Sequence, residues 1–213
     1  SKIVIAGGQE NMSLAPHSIH LRDGKKLGDA KITDTMIKDG LWDAFNDYHM
    51  GITAENVAIK FQVTRQEQDK FALNSQTKAL KAISENKFQN EIVPFKIISK
   101  ASEISFDKDE HPRDGINLDA LTRLKPVFKK DGTVTAGNAS GINDGAAAVT
   151  LMSGDEAKKR NLKELVKIKS WASCGVDPAL MGTGPIPSSK KALDLAGWSV
   201  KEVDLFEINE AFA

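Results

Sequence analysis

Apolar and polar positions change period several times along this chain, and each change marks an expected element. Ile3-Val4-Ile5-Ala6 is a short apolar run that predicts a buried strand, and Gly7-Gly8 predicts a turn out of it. Met12 to Ile32 carries scattered apolar residues without a sustained period and reads as a long excursion. Thr33 or Asp34 then caps an expected short helix through Trp42, with Met36, Ile37, Gly40 and Leu41 on its inner face. After Tyr48-His49-Met50 a second helix is expected from Thr53, because Ala54, Val57, Ala58 and Phe61 recur at i, i+3, i+4 and i+7. Thr64-Arg65-Gln66-Glu67 has the form of a capping box opening a longer helix to about Glu85, with Phe71, Ala72, Ser75, Ala79, Ala82 and Ile83 on its buried side.

Period two replaces the helical period after that. Ile92 to Ile97 and Glu103 to Phe106 predict two paired strands, the first held to an edge by Pro94. A polar loop, Asp107 to Gly115, precedes a short helix from Asn117 to Leu124 that Lys125-Pro126 ends. Thr133-Val134-Thr135 favours a strand, after which the chain loses almost all bulk. Gly137, Gly141 and Gly145 can take positive φ, so Ala136 to Gly145 reads either as a loop with amides free to meet a ligand or as a plain turn between strands. Ala146 to Met152 suits a central strand, and Ser153 or Asp155 caps a charged helix to Arg160. Leu165 to Trp171 predicts another strand, and Lys190 to Ala196 a helix closed by Gly197. Val203, Leu205, Phe206 and Ile208 predict a buried strand with Asn209 and Glu210 at its carboxyl end, where open α/β sheets place ligands. An asparagine there can hold a water or an oxyanion, or it can simply start a helix. Alternating strands and helices make the expected class α/β.

Composition narrows the function classes. Lysine plus arginine equal aspartate plus glutamate at 29 each, so no global field draws the chain to nucleic acid or a membrane surface, and an anionic ligand needs a local basic residue. No run approaches the roughly 20 apolar residues of a membrane span, and the first residues carry no signal-peptide pattern, so the expected location is the reducing cytoplasm. The single cysteine, Cys174, cannot form an intrachain disulfide. His17 and His20 lie three apart, without a third ligand at suitable spacing, and no metal is expected. A strand at the second residue and a chain that stops at NEAFA give the expectation of an internal segment, about the middle half of a longer enzyme.

Four stretches in this order, Gly7 to Ser13 (GGQENMS), Gly132 to Val149 (GTVTAGNASGINDGAAAV), Gly182 to Pro187 (GTGPIP) and Asn209 to Ala213 (NEAFA), resemble the thiolases, and Tyr48-His49-Met50-Gly51 with Thr53-Ala54-Glu55-Asn56 resembles their short-chain biosynthetic type. The resemblance implies a layered α/β fold, here incomplete, in which about 1–11 and 143–163 belong to one half-domain, 12–142 to an inserted loop domain, and 164–213 to the start of a second half-domain. It implies condensation of two acetyl-CoA to acetoacetyl-CoA and CoA, or the reverse thiolysis, through an acyl-cysteine, with no cofactor beyond the thioester substrate. In the family it resembles, the excursion 12–32 helps build subunit contacts, which implies a homo-oligomer, a dimer of dimers at full length.

By matched motif position, Asn209 resembles the catalytic asparagine that holds a water in an oxyanion hole. Ala136 and Ser140 resemble residues bonding the pantetheine arm of CoA, Leu41, Phe128 and Met181 its apolar walls, and Arg113 a basic residue near the nucleotide. His49, Met50 and Phe212 resemble the acyl-pocket lining, with Ala211 beside them. The nucleophilic cysteine is expected before Ser1, and a GHP histidine and a second cysteine after Ala213. Cys174, in WASCGVDP, lacks the nucleophile's surroundings and is expected to be an inert thiol. The chain alone is therefore expected to be inactive, and the alternative function is a non-catalytic CoA-binding module of the same ancestry.

Overall fold

A computed structural model of the chain describes residues 1–98 and 102–213. Backbone contacts divide them into two compact units, Ser1–Val57 with Ile142–Asn209, and Ala58–Gly141 with Glu210–Ala213.

In the first unit β1 (Ile3–Asn11) does not stop at Gly7-Gly8 as expected but runs through them, paired antiparallel with a later nine-residue strand from Ile3↔Met152 to Asn11↔Asp144. The register explains why the glycines do not turn the chain. A Cβ on Gly7 would lie 2.5 Å from the Ala147 carbonyl oxygen, so glycine is needed there for close approach of two backbones. The excursion after Met12 also contains pairing, with β2 (His17–Ile19) antiparallel to β3 (Ile32–Asp34). The expected helix before Trp42 is a π-helical turn, Met36–Leu41, whose first amides, Met36 N and Ile37 N, donate to the Asp34 carboxylate at 2.9 and 3.4 Å. Next, β4 (Trp42–Asp43) and β5 (Tyr48–His49) form a short antiparallel hairpin. The helix expected from Thr53 starts three residues earlier, as α1 (Met50–Phe61), and Phe61, expected on its inner face, is exposed.

The second unit is organised on α2 (Arg65–Ser84), whose capping box forms as expected: Glu67 N donates to Thr64 Oγ1 at 3.2 Å, and Thr64 N to the Glu67 carboxylate at 2.7 Å. The Thr64 amide, with Thr64 Oγ1 donating to the same carboxylate at 2.8 Å, holds the Glu67 carboxyl below the usual range. Of the residues expected on its inner face, Ala72 is buried and Phe71 is exposed, while the polar pair Gln68 and Asp69 is buried instead. The paired strands appear as β6 (Phe95–Ile98) and β7 (Glu103–Phe106), with Pro94 immediately before the first. Asn117 caps α3 (Leu118–Thr122) by accepting from Ala120 N at 2.9 Å. Leu121 and Val134, both 2% exposed, with Ala58 and Ala72, form the apolar core.

Thr133 to Thr135, with Val134 and Thr135 buried, is irregular and not the expected strand: in place of a ladder, Thr133 Oγ1 accepts from Gln68 Nε2, the Val134 carbonyl from Val127 N, and Thr135 N donates to Asn138 Oδ1. Back in the first unit, β8 (Asp144–Met152) is the partner of β1, and among the described residues this ribbon has two strands, so β8 is not the central strand expected and Val149 and Leu151 lie exposed. Ser153 caps α4 (Gly154–Lys159) as expected. Residues 165–171 and 203–208 were both expected as strands and are both irregular. Their apolar side chains, Leu165, Val166, Trp171, Leu205 and Phe206 among them, are exposed, and no ladder partner is present among the described residues. Between them α5 (Pro185–Ala196) starts with Pro185 in its first turn, earlier than Lys190, and ends on Gly197 in the left-handed conformation, φ 71°.

Candidate active site

Within the first unit, the β4–β5 hairpin delivers His49. Its loop is held by Asp43, which accepts from Asn46 Nδ2 at 2.7 Å and from the amides of Phe45 and Asn46 at 2.9 and 3.3 Å. Those donors, the Asn46 side chain foremost, hold the Asp43 carboxyl below its usual range. Trp42 Nε1 donates to Asp47 Oδ1 at 2.9 Å across the same loop. Trp42 stands opposite His49 in the ladder, which leaves the imidazole half-buried beside the start of α1. His49 Nδ1 accepts from Gly51 N at 2.9 Å, and burial lowers the pKa of the ring below its usual value. Both facts favour the neutral imidazole, and an acceptor at Nδ1 leaves the remaining proton on Nε2.

Met50 opens α1, and Thr53 Oγ1 donates back to its carbonyl at 2.6 Å. Asn56 Nδ2 then donates to Tyr48 Oη at 3.3 Å and to the Ala179 carbonyl at 3.1 Å, joining the helix to the 3₁₀ turn Pro178–Thr183 that carries Met181. Leu41, at the end of the π-helical turn, adjoins β4. The structure thus assembles Leu41, His49, Met50 and Met181, all half-buried, on elements linked through β5 and α1. Asn209 belongs to the same unit and is exposed at the end of the irregular 203–209 segment. Cys174 is a half-buried free thiol.

Within the second unit, the small-residue stretch meets the last residues of the chain. Ala139 and Phe212 form an antiparallel bridge, Ser140 N donates to the Ala211 carbonyl at 3.0 Å, and Ala213 N donates to the Asn138 carbonyl at 2.9 Å. The Phe212 ring packs edge-on against Phe128, centroids 6.3 Å apart and planes at 82°. Ala136, Ser140, Ala211, Phe212 and Phe128 are thereby brought together, with Ala136 and Ser140 exposed. Glu210 is fixed by Ser75 Oγ, which donates to its carboxylate at 2.5 Å. Arg113 is exposed, and its backbone amide donates to Gln76 Oε1 on α2 at 3.0 Å.

Gly137, Gly141 and Gly145 were expected to supply positive φ, and none of them does. Gly137 instead leaves room for two leucine side chains: a Cβ there would stand 2.5 Å from Leu124 Cδ1 and 2.6 Å from Leu121 Cδ2, which would have to shift. The small-residue loop is held down by a buried polar cluster that period-based reading passed over. Asp69 is fully buried and is met by Arg65 Nε at 2.8 Å and Asn138 Nδ2 at 3.0 Å. The i, i+4 spacing of Arg65 and Asp69 on a capped helix was the available signal for half of it. A further cavity of about 500 Å³, lined by Gly8, Gln9, Glu10 and residues 143–147, lies in the first unit and contains none of the predicted site residues.

Comparison with known proteins decides the family. The model described as "Thiolase, N-terminal domain" matches residues 1–155, and "Thiolase, C-terminal domain" matches residues 162–213. The chain belongs to the thiolase family. Over its whole length it is 60% identical to the acetyl-CoA acetyltransferase of Paracoccus denitrificans and 55% identical to the cytosolic acetyl-CoA acetyltransferase of Rattus norvegicus, covering 54% of each. It therefore spans about half the length of the curated relatives it matches. Among solved structures it is similar to the Bacillus anthracis acetyl-CoA acetyltransferase, with a TM-score of 0.96 at 47% identity, covering 100% of this chain and 54% of that one. It is also similar to human mitochondrial 3-ketoacyl-CoA thiolase in complex with CoA, with a TM-score of 0.92 at 44% identity, covering 100% of this chain and 53% of that one. The mixed helices and strands are those of a thiolase-like α/β fold. No helix among the described residues is long and apolar enough to cross a membrane.

Proposed function

We propose that the chain is a segment of an acetyl-CoA C-acetyltransferase, an acyltransferase that condenses two acetyl-CoA to acetoacetyl-CoA and CoA or runs the reverse thiolysis. The observation that carries this reading is the pairing of residues 138–140 with 211–213, which joins the two motif stretches NASG and NEAFA along one edge. The names of its relatives favour an acetyl over a longer acyl group, and the resemblance to a thiolase solved with CoA supports CoA as the carrier.

In the complete enzyme a cysteine thiolate attacks the carbonyl of one acetyl-CoA, the thioester C–S bond breaks, and CoA leaves as the acetyl group passes to the enzyme. A base then removes an α-proton from a second acetyl-CoA, the carbanion attacks the acyl-enzyme, and release of acetoacetyl-CoA restores the thiolate. This chain supplies positioning to those steps. Asn209 fixes a water against the enolate oxygen, its amide staying neutral while holding the water from both sides. His49, neutral with its proton on Nε2, donates to a thioester oxygen. Met50, Ala211 and Phe212 limit the acyl chain. Ala136 and Ser140 meet the pantetheine arm, Leu41, Phe128 and Met181 wall it, and Arg113 meets the anionic nucleotide end.

Residues 12–142 form the loop domain inserted in one half-domain, whose parts 1–11 and 143–163 flank it, and 164–213 begin the second half-domain. The full-length enzyme is a cytoplasmic homo-oligomer, a dimer of dimers, without nucleic-acid or membrane partners, consistent with a relative named as cytosolic. It takes no metal or cofactor beyond its thioester substrates. The 213-residue chain alone binds CoA without turnover, since its one cysteine, Cys174, carries no nucleophile motif. Incubating it with acetoacetyl-CoA and CoA tests this: no acetyl-CoA forms, and its appearance would overturn the assignment of Cys174 as inert.

A further inference from the structure

The buried cluster under the small-residue loop joins α2 to that loop and to α3 by side-chain hydrogen bonds of Arg65, Asp69 and Asn138. We propose that Asp69, Asn138 and Arg65 are positioning residues that fix the loop 133–140, and through it residues 211–213, in the geometry that presents Ala136 and Ser140 to the carrier thioester. The carrier part of this inference rests on the acyltransferase reading above.

The bonds form a connected chain. Arg65 donates from Nε to Asp69 Oδ2 at 2.8 Å and from Nη2 to the carbonyls of Leu121 and Leu124 at 2.8 and 2.9 Å, so one guanidinium fixes α3 against α2. Asp69 Oδ1 accepts from Asn138 Nδ2 at 3.0 Å. Asn138 Nδ2 also donates to the Thr133 carbonyl at 3.0 Å, while Asn138 Oδ1 accepts from Thr135 N at 2.7 Å. A single amide thus closes the loop on itself and ties it to the helix. The Asn138 carbonyl receives Ala213 N, and Ser140 N reaches the Ala211 carbonyl, so residues 211–213 are held by the loop that Asn138 closes. Gln68 Nε2 adds a bond to Thr133 Oγ1 at 2.8 Å. Asp69 and Thr135 are fully buried and Asn138 is 3% exposed, which removes water as a substitute partner.

Asn and Asp are nearly equal in size and differ only in which atoms donate, so exchanging them separates bonding from packing. Asp69→Asn turns an amide against the Asn138 amide or against Arg65. Asn138→Asp sets two carboxylates face to face. The double variant D69N/N138D restores donor to acceptor between the two positions, and the amide oxygen introduced at position 69 can still accept from Arg65. It removes the charge that Arg65 pairs with at position 69 and sets a carboxylate oxygen against the Thr133 carbonyl, so its recovery is partial.

The test measures amide hydrogen exchange and CoA affinity by calorimetry on the 213-residue chain, its single variants, the double variant and Asn138→Ala, which leaves the ion pair intact. Exchange at Thr135, Ser140 and Ala213 is expected to speed up about tenfold in each single variant, relative to amides in the middle of α2, and to recover in part in the double variant. CoA affinity is expected to fall about tenfold and recover in step. Unchanged loop exchange in Asn138→Ala, or a double variant no better than either single one, overturns the proposal. Faster loop exchange with unchanged CoA affinity also overturns it, since the cluster would then be structural only. If the wild-type chain binds no CoA while the exchange pattern holds, the acyltransferase reading fails and the holding of the loop by Asp69 and Asn138 stands.

Discussion

At the scale of single residues, chemistry is set by where a proton or a charge is held. His49 Nδ1 accepts from Gly51 N, and partial burial of the ring holds its folded pKa below the ordinary 6.5. The unfolded chain therefore takes up a proton as pH falls through that value while the folded chain does not. Stability rises with pH between the lowered folded value and 6.5, and is lost on acidification through the same window. Following the His49 ring proton by NMR across pH 4 to 8, a range of about that width around the imidazole value, is expected to give a midpoint below the ordinary 6.5. A midpoint above it would mean a protonated ring unsuited to donating from Nε2 alone. The carboxyls of Asp43 and Glu67 are lowered by donated hydrogen bonds and act in the same direction, lending stability above the usual carboxylate range that is lost as pH falls through their lowered values. Arg113 carries a different expectation. Arg113→Ala is predicted to weaken CoA binding about tenfold, and less as salt is raised, with the melting temperature unchanged because its side chain is exposed. Calorimetry at two ionic strengths checks both statements.

At the scale of elements, space between backbones decides more than conformational freedom. Gly7→Ala places a methyl 2.5 Å from the Ala147 carbonyl oxygen, whereas a Cβ on Gly8 meets nothing within 4 Å. Gly7→Ala is expected to cost about 1–3 kcal/mol and Gly8→Ala less than about 0.5 kcal/mol in denaturant melts. Equal effects would contradict the β1–β8 register. Thr64→Ala removes one partner of the α2 capping box and is expected to cost about 1 kcal/mol. The same contrast explains which elements were legible. Helix starts at Thr64, Asn117 and Ser153, and the stop at Gly197, were read correctly because a cap is a local bond between residues a few positions apart. The strands expected at 165–171 and 203–208 were not found, because a strand exists only with a ladder partner and alternation says nothing about whether one is present. Gly7-Gly8 was misread as a turn because its function depends on Ala147, far along the chain.

At the scale of the whole molecule, the family was legible from four short stretches whose order, more than their composition, is specific. Their neighbourhoods were partly legible: motif matching grouped Ala136, Ser140, Ala211 and Phe212, and the 138–140 to 211–213 pairing brings them side by side. Asp69 and Asn138 were not, since a buried carboxylate on a helix is indistinguishable from a solvated one until its partners are known. The account predicts a chain that grips the carrier and leaves the attacking sulfur to be supplied elsewhere. Titrating CoA into the purified 213-residue chain in a calorimeter tests that most directly. Saturable binding at one site, weakened in Arg113→Ala, is the predicted result; the absence of any binding heat at millimolar CoA, in a chain shown to be folded by its melting transition, would contradict it.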